Sequence, residues 1–509
     1  MKPPLTLLAA LLALAPSRAA EEKPAPTITF EELAAPTSAE ALAASLATAP
    51  DGTLWLSWIQ STDGETHALR FSTFDATPRK WSAIDTIAHG PNIQMPATSF
   101  PALVIDRHGT VAALWNDIHS GALFASSSDH GTTWTEPIPW TVGVYKVGQF
   151  SFVCLADGRI LAAWLDDRGN SSGIKVPKLY SRTITSLVNL SDEVLDHPDT
   201  LIDSSVSNSC QISLTAFPDG GALLAYRGRT DENAHDIRTA RFDDRAWADS
   251  RPLNNDDWRF LAGSATGPRL ASDGGRVAAA WFTAATHDPR VLVSFSPDAG
   301  ARFLQPLRVD HGKPAGPVDT AILHDGALLV TWLESDGSAW LCRITPDFTA
   351  DAPVCLAPPR APITNDPTLV TYPRLALLRD YAGGKTSAQL IVAFATDRAA
   401  PLRTLLVTVP EGDLLTAEKN CDCAPTAEQL QGFPLRGTIA AIDAAHGVLR
   451  VRHGETPGVL AAGTHEFAAA SDILATVQPE RQFLGRIERR SDGTWRLFDV
   501  RLFVEPPQK

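Results

Sequence analysis

Seven times in 509 residues one short pattern returns: a polar turn, an alternating apolar run, and an aromatic that ends it. It reads Asp51-Gly52-Thr53-Leu54-Trp55-Leu56-Ser57-Trp58, then His108-Gly109-Thr110 through Trp115, then Asp157-Gly158-Arg159 through Trp164. It continues as Asp219-Gly220-Gly221 through Tyr226, Asp273-Gly274-Gly275 through Trp281, Asp325-Gly326-Ala327 through Trp332 and, with a longer turn, Gly383-Gly384 through Phe394. The closing aromatics fall 49 to 62 residues apart. Alternation bounded by glycine turns is strand chemistry. A small repeated unit of this kind cannot bury its own apolar faces, so the copies must stack on one another.

The spacing suits four-stranded blades with long loops. A second aromatic trails the first in several copies: Trp81 after Trp58, Trp134 after Trp115, Phe303 after Trp281. Helical periodicity is scarce, while 34 glycines and 38 prolines punctuate the chain. The expected fold class is therefore all-β: a seven-bladed β-propeller over 27–410, with six blades as the alternative, followed by a small OB-like five-stranded barrel. A ring of blades has to close. The strand-like segment Thr27 to Leu33, which precedes the first repeat, is expected to supply the outer strand of the last blade.

Two turns carry a sharper signature, Ser127-Ser128-Asp129-His130-Gly131-Thr132-Thr133-Trp134 and Ser296-Pro297-Asp298-Ala299-Gly300-Ala301-Arg302-Phe303. Each offers an Asp to cap its own backbone, a Gly for positive φ and an aromatic to close the hairpin. With Ala225-Tyr226-Arg227-Gly228-Arg229 and Arg290-Val291-Leu292-Val293-Ser294-Phe295-Ser296, they make residues 40–410 resemble the BNR/Asp-box sialidase-like propellers, in particular exported bacterial proteins described as exo-alpha-sialidases. For an active member the resemblance implies three arginines on a carboxylate, a tyrosine nucleophile assisted by a glutamate, and an aspartate acid/base. The family's Arg-Ile-Pro signature in the first blade is missing, since Ala43 to Pro50 holds no arginine. By position in the repeat, Arg227, Arg269 and Arg374 stand as a substitute triad and Tyr372 as the nucleophile.

Loops that follow each blade's second strand open on the same face as loops that precede its first strand. Residues just past the repeat aromatic are thus expected around a central funnel: Gln60, Asn116, Asp117, Asp166, Asp167, Arg168, Arg227, Arg229, Glu334 and Asp397. Of these, Asp117, Asp166, Asp167, Arg168, Arg229 and Glu334 are the candidate ligand-binding residues. A ring of mixed charge suits an anionic small molecule or a glycan, or else neutralises itself.

At the start, Met1-Lys2, the apolar run Leu5 to Ala15 and the small residues around Ser17-Arg18-Ala19 read as a signal peptide over 1–20. The mature chain is then expected in the periplasm or secreted. A formal charge of −14, more negative once Lys2 and Arg18 leave, argues against nucleic acid as a partner. No later apolar run is long enough for a membrane-spanning helix. In an oxidising compartment, Cys342 and Cys355, on consecutive strands of the sixth blade, are placed for a cross-strand disulfide. Cys154 and Cys210 are either buried thiols or a second pair.

Beyond the propeller, 411–432 is a polar linker carrying Cys421-Asp422-Cys423, and 433–505 holds five short strand patterns. Here Gly437-Thr438-Ile439-Ala440-Ala441-Ile442-Asp443 and the stretch from His453 to Phe467 resemble the small periplasmic copper/silver-binding chaperone domain of the Cus efflux system. That resemblance implies a histidine, an aromatic or methionine, and two methionines as Cu(I) ligands. In this chain His453 matches the histidine, whereas Leu460, Gly463 and His465 stand at the other positions, so the soft thioethers are absent. The expected metal ligands are His453 and His465, with Cys421 and Cys423, for copper or zinc; the alternative is a barrel that has lost its metal. The leading functional expectation is an exported binding protein for a small anionic or glycan ligand with an accessory copper-binding domain. The alternatives are a sialidase-type glycoside hydrolase and a periplasmic copper-handling protein.

Overall fold

The computed structural model describes residues 27–502 apart from 38–40, 95–100, 144–146, 169–176, 189–198, 208–209, 231, 260–265, 311, 360–370, 379–386, 396–400, 412–432, 455–459 and 491–492. The signal segment 1–20, Asp397, Cys421 and Cys423 therefore lie outside the described residues. Apart from the 3-10 turn Ala285–His287 and the short helix Ser471–Thr476, the described elements are strands. They form seven antiparallel sheets, six of four strands and one of five, and a closed five-stranded barrel.

Each of the seven sheets has a different inner strand, in chain order Ala41–Thr48, Ala102–Ile105, Val147–Cys154, Ser213–Ala216, Arg269–Asp273, Asp319–Ile322 and Thr371–Leu377. Each inner strand touches the next and the last touches the first, so they circle one axis. The fold is a β-propeller. Thr29–Leu33 adds to the edge of Arg403–Pro410, with Thr29 opposite Thr408 and Leu33 opposite Thr404. The closing sheet thus holds both ends of the propeller segment, and Glu32 locks it further by receiving Arg403 at 2.8 Å.

Second strands such as Ile160–Asp166 and Leu328–Leu333 are buried along their whole length. The cause is stacking: each apolar cluster is shared by two successive sheets, for example Trp115 with Trp55 and Phe71, or Trp332 with Val291 and Val293. All seven repeat aromatics are buried at these contacts.

The two Asp-box turns follow their predicted chemistry. Asp129 accepts from the backbone N–H and hydroxyl of Thr133 and from Ser127 Oγ, which hold its carboxyl down at about 2. Gly131 and Gly300 both sit at φ 84, and both press on the preceding sheet. A Cβ on Gly131 would lie 2.5 Å from Phe71 Cζ, and one on Gly300 would meet Leu223 Cδ2. The turn is a docking surface between blades as well as a hairpin.

The cysteine expectation needs correction. Cys154, Cys210, Cys342 and Cys355 are all free thiols. Strand register sets Cys355 opposite Trp340, while Cys342 is buried with its thiol toward the Asp351 carbonyl.

The barrel is built from Phe433–Asp443, Val448–His453, Gly463–Ala469, Gln482–Arg489 and Trp495–Leu502 around a core of Leu435, Ile439, Leu449, Val451, Phe467, Phe483, Ile487 and Leu497. The helix Ser471–Thr476 was not foreseen; with only six residues, it offers little periodicity to read.

Candidate functional site on the propeller axis

Where the inner strands converge, they enclose a cavity of about 190 Å³. Every blade contributes to its wall, through Ser45, Ala102, Gln149, Gln211, Arg269, Asp319 and Arg374 in turn. Three of these strands are irregular at the wall: their pairing shifts between Leu42 and Ser45, between Val147 and Phe150, and between Thr371 and Arg374. Bulges of this kind re-aim side chains and gather beside functional sites.

The wall is polar and under-satisfied. Gln149 and Gln211 are 4% and 2% exposed. Among the described residues, Gln211 Oε1, Gln211 Nε2 and Gln149 Nε2 have no hydrogen-bond partner. Two donors and one acceptor on these amides are thus left open, among the described residues, to a molecule in the cavity. Arg269 Nε lies 3.4 Å from Asp319 Oδ1, at ion-pair distance without hydrogen-bond alignment, while Leu375 donates its backbone N–H to Asp319 Oδ2 at 3.1 Å. Burial pushes the Asp319 carboxyl above its ordinary range, and Arg269 opposes that shift.

Of the four residues nominated as catalytic, Arg269 and Arg374 line the cavity and Arg227 and Tyr372 do not. Arg227 is fully enclosed: it donates to the carbonyls of Thr266, His235 and Phe282 at 2.6 to 3.1 Å and lies over the Trp258 ring. Its guanidinium holds loops together. Tyr372 donates to the Ala315 carbonyl at 3.2 Å, and burial pushes its phenol up to about 12.

The expected funnel ring resolves largely into supports for the repeat aromatics. Trp58 donates its indole N–H to Gln60, Trp164 to Asp166 at 2.9 Å, and Trp332 to Glu334 at 2.8 Å. Asp166 also receives Arg168, which pairs with Asp199 and lies 4.2 Å from the Tyr180 ring centre. Asp117 caps the turn through the N–H groups of His119 and Ser120. Asn116 is buried on the second strand of its blade, and Asp167 begins the turn after Ile160–Asp166. Arg229 is tied through its backbone to Ser205. Glu334 also borders a separate groove of about 350 Å³ with Lys313, Asp336 and Trp340.

The sequence reading passed over Gln149, Gln211 and Asp319. A signal for them existed: with Arg269 they precede the repeat aromatic of their own blade by 12 to 15 residues, as in Gln149 and Trp164 or Asp319 and Trp332.

In the barrel, His453 and His465 are in direct contact. His453 Nδ1 donates to the Gly454 carbonyl at 2.6 Å, which leaves its Nε2 to accept from His465 Nδ1 at 2.9 Å. Among the described residues no group of three histidines, cysteines or acids gathers as a metal site. No described helix is long and apolar enough to cross a membrane.

No protein-family model and no curated protein sequence matches the chain. Among solved structures, the Hadza microbial sialidase Hz136 has 15% identity and a TM-score of 0.37 over 58% of this chain and 63% of that one. A protein of unknown function from Dyadobacter fermentans has 13% identity and a TM-score of 0.44, covering 75% of this chain and all of the other. The BP39L lectin from Burkholderia pseudomallei reaches a TM-score of 0.51 at 10% identity, over 72% of this chain and 98% of the lectin. At that identity the shared property is the fold, and with the ring of inner strands it establishes this chain as a β-propeller protein.

Proposed function

We propose that the protein is an exported binding propeller that holds a small acidic molecule, such as a sugar acid or the acidic end of a glycan, in its axial cavity. The observation that carries this reading is the pair of buried glutamines, with Gln149 Nε2 and both amide atoms of Gln211 unpartnered among the described residues, facing the same space as Arg269 and Arg374. Guanidinium groups supply paired donors for a carboxylate, while the amides offer both donors and an acceptor to hydroxyls. A volume near 190 Å³ is below the usual range for whole drug-sized ligands, so one sugar acid or one acidic terminus is the scale that suits it. The likeness to a lectin, and the resemblance of the Asp-box repeats to sialidase-like propellers, are consistent with a glycan-derived ligand. Export rests on the apolar leader.

Isothermal titration of the full mature chain with glucuronate and N-acetylneuraminate tests the proposal. Binding to the wild type should weaken at least ~10-fold in Arg374→Ala and in Gln211→Ala, since a lost charge-assisted or buried hydrogen bond is worth about 1.5–3 kcal/mol. Absence of binding, or equal binding by the variants, would refute it.

A second reading concerns the barrel. The ring nitrogens of His453 and His465, 2.9 Å apart, are close enough for one copper or zinc ion to be shared between them. His465 would need to carry its proton on Nε2 so that Nδ1 is free to ligate, and because an imidazolium cannot bind a metal, uptake should weaken as pH falls. Titration of the full chain with Cu(II), Cu(I) and Zn(II), beside a His453→Ala/His465→Ala variant, checks it; equal uptake by the variant would remove the reading.

A further inference from the structure

We infer that Gln211 restricts the axial cavity to hydroxylated acids, and that acids with no hydrogen-bond donor beside the carboxylate are turned away. This rests on the binding reading above and adds to it the class of ligand. Gln211 is 2% exposed, and neither its Oε1 nor its Nε2 has a hydrogen-bond partner among the described residues. The Nε2 of Gln149, 4% exposed, is open in the same way. Both side chains line the space that Arg269 and Arg374 border.

The open atoms differ in what they ask of a ligand. A guanidinium or an amide N–H is answered by any anionic oxygen, since such oxygens accept. Gln211 Oε1 is itself an acceptor, and neither a carboxylate nor a keto oxygen can donate to it. Its partner must carry a proton. A hydroxyl both donates and accepts, so two adjacent hydroxyls on a ring satisfy the whole amide, one donating to Oε1 while the other accepts from Nε2. A ligand that sets bare hydrocarbon there leaves the acceptor buried and unmade, and a site built to hydrogen-bond a hydroxyl strongly rejects the analogue that lacks it. The order of the blades gives the ligand a direction: Gln149 is on the third inner strand and Gln211 just before the fourth, whereas Arg269 opens the fifth and Arg374 lies on the seventh. The hydroxyls therefore lie toward the third and fourth blades and the carboxylate toward the fifth and seventh.

The experiment is calorimetric titration of the full mature chain with glucuronate and with tetrahydropyran-2-carboxylate, which keeps the ring and the carboxylate but has no hydroxyls. Wild type should bind glucuronate at least ~10-fold more tightly. In Gln211→Met, which keeps the length of the side chain and removes the amide, that preference should shrink by at least ~5-fold. Arg374→Ala, by contrast, should weaken both acids to a similar degree. The wild-type comparison stands even if Gln211→Met folds poorly, which circular dichroism would reveal. Equal or tighter binding of the unhydroxylated acid by wild type, or a preference that folded Gln211→Met keeps in full, overturns the role of Gln211 and leaves the binding reading intact. If wild type takes up neither acid, the binding reading falls and this inference falls with it.

Discussion

Trp164 donates its indole N–H to Asp166 at 2.9 Å, two residues along the same strand. Residues i and i+2 of a strand share a face, so an acceptor at the second position past the repeat tryptophan is held where the indole can reach it. Trp332 and Glu334 repeat the arrangement at 2.8 Å. Asp166→Ala should therefore destabilise the protein by roughly 1–3 kcal/mol, because it leaves the buried Trp164 indole N–H without its acceptor and removes one of the two carboxylates that hold Arg168. Glu334→Gln, which keeps the acceptor, should cost under ~1 kcal/mol. Urea unfolding monitored by tryptophan fluorescence measures both, and neither change should alter ligand affinity.

The glycines of the two Asp-boxes should differ in sensitivity. Alanine at either position must adopt φ 84, a strain of about 1 kcal/mol or more. At Gly131 the new methyl also meets the rigid Phe71 ring, whereas at Gly300 it meets the end of Leu223, which can rotate. Gly131→Ala is expected to lose about 2–4 kcal/mol and Gly300→Ala less. Equal losses would show that the inter-blade contact does not set the cost.

A pH dependence is built into the fourth blade. Asp236 accepts the backbone N–H groups of Asp256 and Asp257, and burial together with the neighbouring Asp256 carboxyl raises its own carboxyl from 3.8 to about 7. The folded state thus binds a proton that the unfolded chain releases, so this group's contribution to stability is complete below pH ~4 and is lost as pH rises toward ~7. Asp236→Asn should remove that decline, worth roughly 1–3 kcal/mol, because the amide keeps the acceptor and stays neutral. Thermal melts of both proteins from acid to neutral pH give the comparison; parallel curves would exclude Asp236 as the source.

Hydrolysis of sialosides is not expected. Tyr372 is committed to the Ala315 carbonyl, and burial pushes its phenol up to about 12. The resemblance would also require an arginine in the first blade, where Ser45 faces the cavity. A fluorogenic sialoside should show no turnover above background with wild type, and Tyr372→Phe should leave the trace unchanged. Turnover that disappears in Tyr372→Phe would reverse this conclusion.

The repeat and its turns were legible because they depend on local chemistry: strand alternation, glycine at positive φ, and an Asp that caps its own loop. Strand placement in the barrel was legible for the same reason. The site was only half legible. Arg269 and Arg374 could be singled out as charged residues at equivalent places in the repeat; Gln149 and Asp319 stand at nearly the same offset before their own aromatics as Arg269, a signal carried by spacing alone, since nothing local distinguishes a glutamine facing an axis from one facing solvent. Asp166 and Glu334 carry a structural role that their charge alone does not show. Each accepts the indole N–H of the tryptophan two residues earlier, a partner legible in the i, i+2 spacing.

The strand Thr29–Leu33 has a consequence for how the molecule forms. Glu32 meets Arg403 across 371 residues of sequence, so the last sheet cannot be completed during synthesis until almost all of the propeller has been made. Until then the strand Arg403–Pro410 has no neighbour on its outer edge, and the segment that will cover it waits at the other end of the chain. Bringing such distant segments together is slow because the intervening chain must first be ordered. The final step of assembly is therefore expected to be this single act of closure of the outer edge, and a chain cut short before Thr371 would lack the seventh inner strand and leave an open arc with its axial cavity incomplete.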